Sequence, residues 1–297
     1  MTLFDQFLQY TLSGITIGSI YAMVALGFNI IYNSTGIINF AQGEFLMLGG
    51  MLAVYFHNNL HLNLLLSGIF AVIIVTIIGI LFHRFAIKPV QDQSIITLII
   101  ITIAGSILFK GAAMFIWGKD SYILPSFSGD TPIAFFGATI QPQMLWVMGF
   151  LIMIVLGLGA FYRFTITGKA MQACSYNRNA ARIVGINVNQ MVLLSFALSA
   201  CIGAIAGVIV TPITLVDYDR GSLLGLKGFG SAILGGLGKM EGAIAGGLII
   251  GLLEAYAAGF VSSGYKDAVA LVILLIVLFY RPGGILVKKQ EHLLKKF

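Results

Sequence analysis

Charge is scarce in this 297-residue chain. Asp, Glu, Lys and Arg together make up 9% of it, against about 25% in an ordinary soluble protein. So few charges cannot keep the surface of a soluble globule wet, which excludes a soluble enzyme, a disordered chain and a nucleic-acid-binding module. Cysteine is nearly absent: Cys174 and Cys201 are too few for a disulfide framework and lack metal-ligand spacing. His57, His61, His83 and His292 are scattered, so no metal site is expected. The sequence also lacks a phosphate-binding P-loop, an HExxH motif and paired acids within one apolar run. ATP hydrolysis, metal hydrolysis and acid–base chemistry therefore have no carrier, and no catalytic residue or cofactor is expected.

What the chain has is apolar length. Hydrophobic residues make up 59% and the mean hydropathy is +0.99. Continuous runs cover about 8–32, 62–83, 94–117, 143–163, 190–212, 241–260 and 265–280; a shorter one covers 44–57, and a Gly-rich, broken one 222–238. A helix needs ~20 apolar residues to cross the hydrocarbon core, and runs that do not alternate exclude a β-barrel. The expectation is one all-α polytopic membrane domain over 1–297, with about eight membrane-crossing helices plus broken or short Gly-rich segments. The first run is too long for a signal peptide and is read as a retained helix.

Basic residues set the expected orientation. With the N-terminus outside and 222–238 counted as a crossing, inside loops hold twelve Lys and Arg, among them Arg84, Lys88, Lys239 and the tail 281–297. Outside loops hold three: Lys119, Arg220 and Lys266. The C-terminus is therefore expected in the cytosol.

Two stretches are not plain spans. Asn33 to Glu44 is polar between two apolar runs, and 225–241 is dense in glycine. Both end in a glutamate and lead into a helix, a weak sign of duplication; broken helices in matched positions point to a transport pathway. Gly14, Gly18 and Ala22, and Gly242, Gly246, Gly247 and Gly251, have the spacing that lets helix backbones approach closely. Glu44 and Glu241 sit at expected helix starts, where the helix dipole favours a carboxylate; lining the pathway is the other reading. Glu254 lies deep in its span, where an acid must face the bundle interior or water, either paired with Lys227 or Lys110 or lining the path. Lys110, near the outer end of its span, is expected to snorkel. Asn29, Asn39 and Gln42 are suited either to a zwitterion or to freed backbone. The loop Asp217-Tyr218-Asp219-Arg220 either meets a partner or is solvated.

The inside segment 164–189 has four basic residues, counting Arg163 at its edge, and no acid. A helix capped by Thr167 and stopped by Gly185 would place Ala170, Ala173, Asn177, Ala180 and Ala181 on one face, with Arg178 and Arg182 on a basic shoulder. So small a face gains little from lipid and suits a cleft in another protein. Asn187 or Asn189 would cap the next span.

The motifs Gly27-Phe28-Asn29-Ile30-Ile31-Tyr32 with Gly36, Asn39-Phe40-Ala41-Gln42-Gly43-Glu44-Phe45, Gly168-Lys169-Ala170 with Ala173, Asn177, Ala180 and Gly185-Ile186-Asn187, and Lys227-Gly228-Phe229 with Leu234-Gly235-Gly236-Leu237-Gly238 and Gly242-Ala243 carry a resemblance. In spacing over nearly the whole chain, the sequence resembles permease subunits of branched-chain amino acid ABC importers, the LivH type. The resemblance implies an ABC importer permease architecture in a bacterial inner membrane, moving leucine, isoleucine and valine by alternating access. It also implies a related but different second permease, two cytosolic ATPase subunits that bind the ATP, and an extracytoplasmic substrate-binding protein. By resemblance, 168–187 meets the ATPases, through Gly168, Ala170, Ala173, Asn177, Arg178, Ala180, Arg182 and Gly185. Asn29, Asn39, Gln42, Glu44, Lys227, Glu241 and Glu254 are the candidates for the translocation path. Relatives that import urea, short amides or other amino acids share these motifs; a passive small-solute channel would need no docking segment.

Overall fold

The computed structural model describes residues 2–91, 93–135, 137–281 and 283–285. Eleven α-helices lie among them: α1 Leu3–Thr35, α2 Gln42–Asn58, α3 Leu64–Phe82, α4 Ile95–Trp117, α5 Pro142–Phe164, α6 Ile166–Tyr176, α7 Arg178–Ile183, α8 Val188–Val210, α9 Arg220–Gly235, α10 Met240–Tyr256 and α11 Lys266–Tyr280. The only sheet among the described residues is a hairpin, β1 Ile133–Phe135 against β2 Ala138–Ile140. Among the described residues six stretches are long and apolar enough to cross a membrane: Leu3–Thr35, Leu64–Val90, Ile95–Trp117, Pro142–Phe164, Val188–Val210 and Met240–Val261. The chain is the expected all-α polytopic protein. Helices α2, α9 and α11, with 17, 16 and 15 residues, are too short to be counted with these six, which is why the number falls below the expected eight or so. The basic tail expected to anchor the chain, Lys288 to Lys296, lies outside the described residues.

The core is α1 with α8, α9, α10 and α2 around it, and small residues explain why so long a helix is buried. Helix α1 runs antiparallel to α10. A Cβ on Gly18 would stand 2.7 Å from the Leu248 Cα, one on Gly247 2.5 Å from the Ala22 nitrogen, and one on Gly251 2.2 Å from the Gly18 nitrogen. These are backbone-on-backbone approaches that lipid-embedded helices need for dispersion contacts, at the spacing the sequence shows. Helix α8 is tied to α2 the same way, through Gly49 on Ala204 and Gly207 on the Leu46 carbonyl.

One end of the bundle carries the start of α1 and the hairpin, joined by Gln9 and Thr139, and a bridge between Tyr122 and Val216. The opposite end carries α6, α7 and the turn at 236–239. The first polar stretch is broken as expected. Gly36, with φ +69°, ends α1; the chain then doubles back through 37–41 and starts α2 in the interior. Gln42 lies against Gly27 of α1 and Ser199 of α8. Since Gly27 precedes the end of α1 by eight residues, α2 begins about 12 Å inside that end. The second stretch differs. Helix α9 is unbroken to Gly235, and only Gly236 to Lys239 form a turn. Its glycines are contacts, not breaks: Gly225 meets Gly43, and Gly228 meets Val24. The two stretches are therefore not matched breaks.

Candidate functional site

The backbone break at 36–41 is buried and satisfied piece by piece. Asn39 is fully buried, its Oδ1 accepting from the Ala41 N–H at 3.2 Å. Gln42, also fully buried, donates to the Ser199 carbonyl at 3.2 Å, and the Ser199 hydroxyl donates to Gln42 Oε1. Asn29 donates to the Lys239 carbonyl at 2.8 Å and accepts from the Gly238 N–H at 3.2 Å. All three side chains engage backbone, as non-helical chain at membrane depth requires.

Beside this break, the N-termini of α2 and α9 meet. A Cβ on Gly43 would stand 2.1 Å from the Gly221 carbonyl oxygen. Glu44, in the first turn of α2 and fully buried, lies in the positive field of both helix starts. Its Oε1 accepts from Ser106 of α4 at 2.8 Å and from Ser222 of α9 at 3.0 Å. Its Oε2 has no hydrogen-bond partner and packs on Gly221. Next to it, Lys110 of α4 pairs with Asp219. Lys110 is therefore not a lone snorkelling cation. Arg220 donates to the Leu215 carbonyl at 2.9 Å and lies 4.0 Å from Asp217, so the loop 217–220 is folded onto the bundle. Ser222, Leu223 and Leu226 are exposed, so one side of α9 stays open beside the buried carboxylate.

Glu254 pairs with Lys227 at 2.8 Å, not with Lys110. Tyr21 adds a third member: its hydroxyl donates to Glu254 at 2.7 Å and accepts from Lys227 at 3.0 Å. Glu241 is exposed in the first turn of α10, apart from the Glu44 cluster. Among the described residues no group of three His, Cys, Asp or Glu could hold a metal.

The segment expected to be one helix is two. The cap is Thr165, not Thr167; its hydroxyl accepts from the Gly168 N–H at 2.9 Å. Asn177, with extended backbone, ends α6, and its side chain caps α7 by accepting from Ala180 at 3.0 Å. Gly185, with φ +89°, ends α7 where a side chain would be strained. Asn187 caps α8 as expected, accepting from the Gln190 N–H. The break at Asn177 divides the expected face. Gly168 is buried, where a Cβ would stand 2.3 Å from the Phe161 carbonyl oxygen, and Ala170 and Ala173 pack on the core. Asn177, Arg178, Ala180, Arg182 and Gly185 are exposed, whereas Ala181 is buried. They are joined by residues that helical spacing did not single out: Tyr176, Ile183 and Val184, 90%, 86% and 74% exposed. Sequence reading also missed Ser106, Ser222 and Tyr21. The signal for Ser106 was present, since Thr102, Ser106 and Lys110 recur every four residues in an otherwise apolar run.

A bundle of long apolar helices with a broken backbone and short interior helices is the architecture of a polytopic membrane protein. Residues 10–278 match the family described as branched-chain amino acid transport system / permease component, and the chain belongs to that family. It is 33% identical to the high-affinity branched-chain amino acid transport system permease protein LivH of Escherichia coli K12, over 95% of this chain and 96% of the relative. It is 30% identical to the corresponding protein BraD of Pseudomonas aeruginosa, over 94% and 95%. The ribose import permease protein RbsC of Haemophilus influenzae is 29% identical over 88% and 81%. Among solved structures, PsaBC from Streptococcus pneumoniae in complex with Fab covers 98% of this chain and 95% of its own at TM-score 0.50 and 17% identity, a likeness of fold.

Proposed function

We propose that this chain is the permease subunit of an ATP-driven ABC importer that moves branched-chain amino acids across a bacterial inner membrane. The observation that carries the reading is the surface of α6 and α7. Tyr176, Ile183 and Val184 stand exposed beside Arg178 and Arg182, an apolar knob with a basic rim that fits a protein cleft better than water. It is the cytosolic end: the excess of Lys and Arg falls there, which puts the start of α1 and the hairpin outside. Two ATPase subunits dock on this surface and bind the ATP; Asn177, Arg178, Ala180, Arg182 and Gly185 form or shape the contact. Gly168, Ala170 and Ala173 hold α6 against α5 and the core, so a push on the surface moves the bundle.

The translocation path runs past the meeting N-termini of α2 and α9. Glu44 lies at its wall, Asn29, Asn39 and Gln42 hold the broken backbone in shape, Lys227 and Glu254 tie α9 to α10, and Glu241 sits at the cytosolic mouth. Closure of the ATPases shifts the population between outward and inward access, which needs two discrete packings of the bundle. A second, related permease faces this one, and a soluble binding protein delivers the amino acid at the hairpin end. The relatives named for branched-chain amino acid transport are the most similar of those above, which favours leucine, isoleucine and valine over ribose, urea or short amides. Uptake of each solute into vesicles carrying the complex with its binding protein tests this. ATP-dependent leucine uptake with co-purifying ATPase subunits is the expected result. Conduction by the chain alone, or no ATPase partner, overturns it.

A further inference from the structure

Helix α4 is the least enclosed of the six long apolar stretches: its most apolar window is 17% buried, against 67% for α8 and 89% for α1. Its outer side presents Ile100, Ile103, Ile107, Leu108 and Phe115. What holds it is a stripe of three polar side chains four residues apart. Thr102, fully buried, accepts from the Phe40 N–H at 3.2 Å, in the backbone break. Ser106 donates to Glu44, and Lys110 pairs with Asp219 just before α9. Between these contacts, Phe109 and Gly105 rest on Phe45 and Phe82. In lipid, a helix with an apolar back gains almost nothing hydrophobic by staying, because acyl chains solvate it as well as leucine does; polar contacts and close packing set its position. The stripe therefore carries much of what keeps α4 in place, and hydrogen bonds, being short and directional, are lost together when a helix shifts by a few ångströms.

Asn39 Nδ2 in the backbone break and Glu44 Oε2 beside the Ser106 contact are buried without partners, as are Trp117 Nε1 on α4 itself and both ring nitrogens of His83. Orphaned groups of this kind call for an explanation. Non-helical backbone at membrane depth persists only where protein covers it or water reaches it, and here α4 is part of the cover. We propose that α4 is the moving gate of the translocation path, latched in the present state by Thr102, Ser106 and Lys110, and that its withdrawal opens the break at 37–41 and the free faces of Asn39 and Glu44 to water and solute. This rests on the permease reading above and adds which element moves. Glu44 is the keeper of the latch: one oxygen accepts from both α4 and the start of α9, so when α4 leaves, Ser222 alone still holds that oxygen.

The test uses the complex with its ATPase and binding-protein partners in vesicles, with Cys174 and Cys201 replaced by alanine. In the Ser106→Cys chain, alkylation by a small water-soluble reagent is expected to speed up at least fivefold during ATP turnover over the resting state. In the Ser106→Cys/Ser222→Cys chain, oxidative cross-linking is expected to cut uptake at least tenfold, reversed by reductant. In the Thr102→Val/Ser106→Ala chain, ATP hydrolysis without binding protein is expected to rise several-fold while uptake per ATP falls. Equal alkylation in every state, or full uptake through a completely cross-linked complex, overturns the gate while leaving the permease reading intact. Absence of ATP-driven uptake by the Cys174→Ala/Cys201→Ala parent, with the natural chain equally inactive, overturns the permease reading itself and the gate with it.

Discussion

Lys227 and Glu254 face each other at 2.8 Å inside the bundle, one on α9 and one on α10, with side chains 11% and 4% exposed. Tyr21 of α1 bonds to both, so the pair ties three helices together. Taking both charges out of water is costly, and the pair repays it only while complete; removing one partner of a buried pair costs about 3–5 kcal/mol. Lys227→Met or Glu254→Leu alone is expected to lower the thermal midpoint of the detergent-solubilised protein sharply and to reduce its membrane yield. Lys227→Met/Glu254→Met is expected to recover most of the loss. A single variant as stable as the natural chain would show that the pair contributes nothing.

The contact between α1 and α10 depends on having no side chain at Gly18 and Gly251. Overpacking of a tight core typically costs 1–3 kcal/mol, and backbone cannot yield as a side chain can. Gly251→Leu is expected to abolish most folded protein, read by size-exclusion chromatography. Gly157→Leu on α5, where a Cβ would meet nothing within 4 Å, is expected to leave the yield unchanged.

On the exposed surface of α6 and α7 proposed for docking, Gly185→Val forces a β-branched residue into a left-handed backbone, a local cost of about 1–2 kcal/mol. Ala180→Trp adds bulk to an exposed position. Both are expected to insert normally and to lose at least tenfold in ATP-driven uptake, with less ATPase subunit retained on purification. Unchanged uptake in both would remove this surface from the coupling role.

Thiol labelling reads the orientation. Cys174, on the inner side of α6, is buried; burial pushes its thiol pKa up, with Arg178 pulling the other way. The raised pKa leaves less thiolate at neutral pH, so labelling of the natural chain at this site is expected to be slow and to speed up as pH rises. Tyr176→Cys, at a 90% exposed position, is expected to label quickly from the cytosolic side with an impermeant maleimide, and Asp130→Cys from the opposite side only. Reversed labelling would invert the topology.

Much of this was legible in the sequence. The apolar runs give the long spans because twenty apolar residues leave a chain no stable place but lipid. The repeated glycines mark the α1–α10 contact because only a missing Cβ permits it. Asn187 and Gly185 announce a helix start and a helix stop through local chemistry. The break after Thr35 was visible as well, since Gly36 and the polar residues after it cannot extend a lipid-facing helix. Glycine misled at 225–235, where the same residue type that breaks a helix also lets a helix pack. Thr167 misled because Thr165, two residues earlier, had an equal claim to the cap.

The sequence by itself determined that the chain lives in a membrane, where its long helices run, and which side chains would need partners there; these follow from local composition and spacing. Only the tertiary structure decided that Glu254 pairs with Lys227, that Glu44 is shared between Ser106 and Ser222, and that α6 turns its glycine inward while Tyr176, Ile183 and Val184 face out. Those outcomes depend on which helices become neighbours. A buried charge is indifferent to sequence distance, and takes the partner that three-dimensional packing brings within about 3 Å.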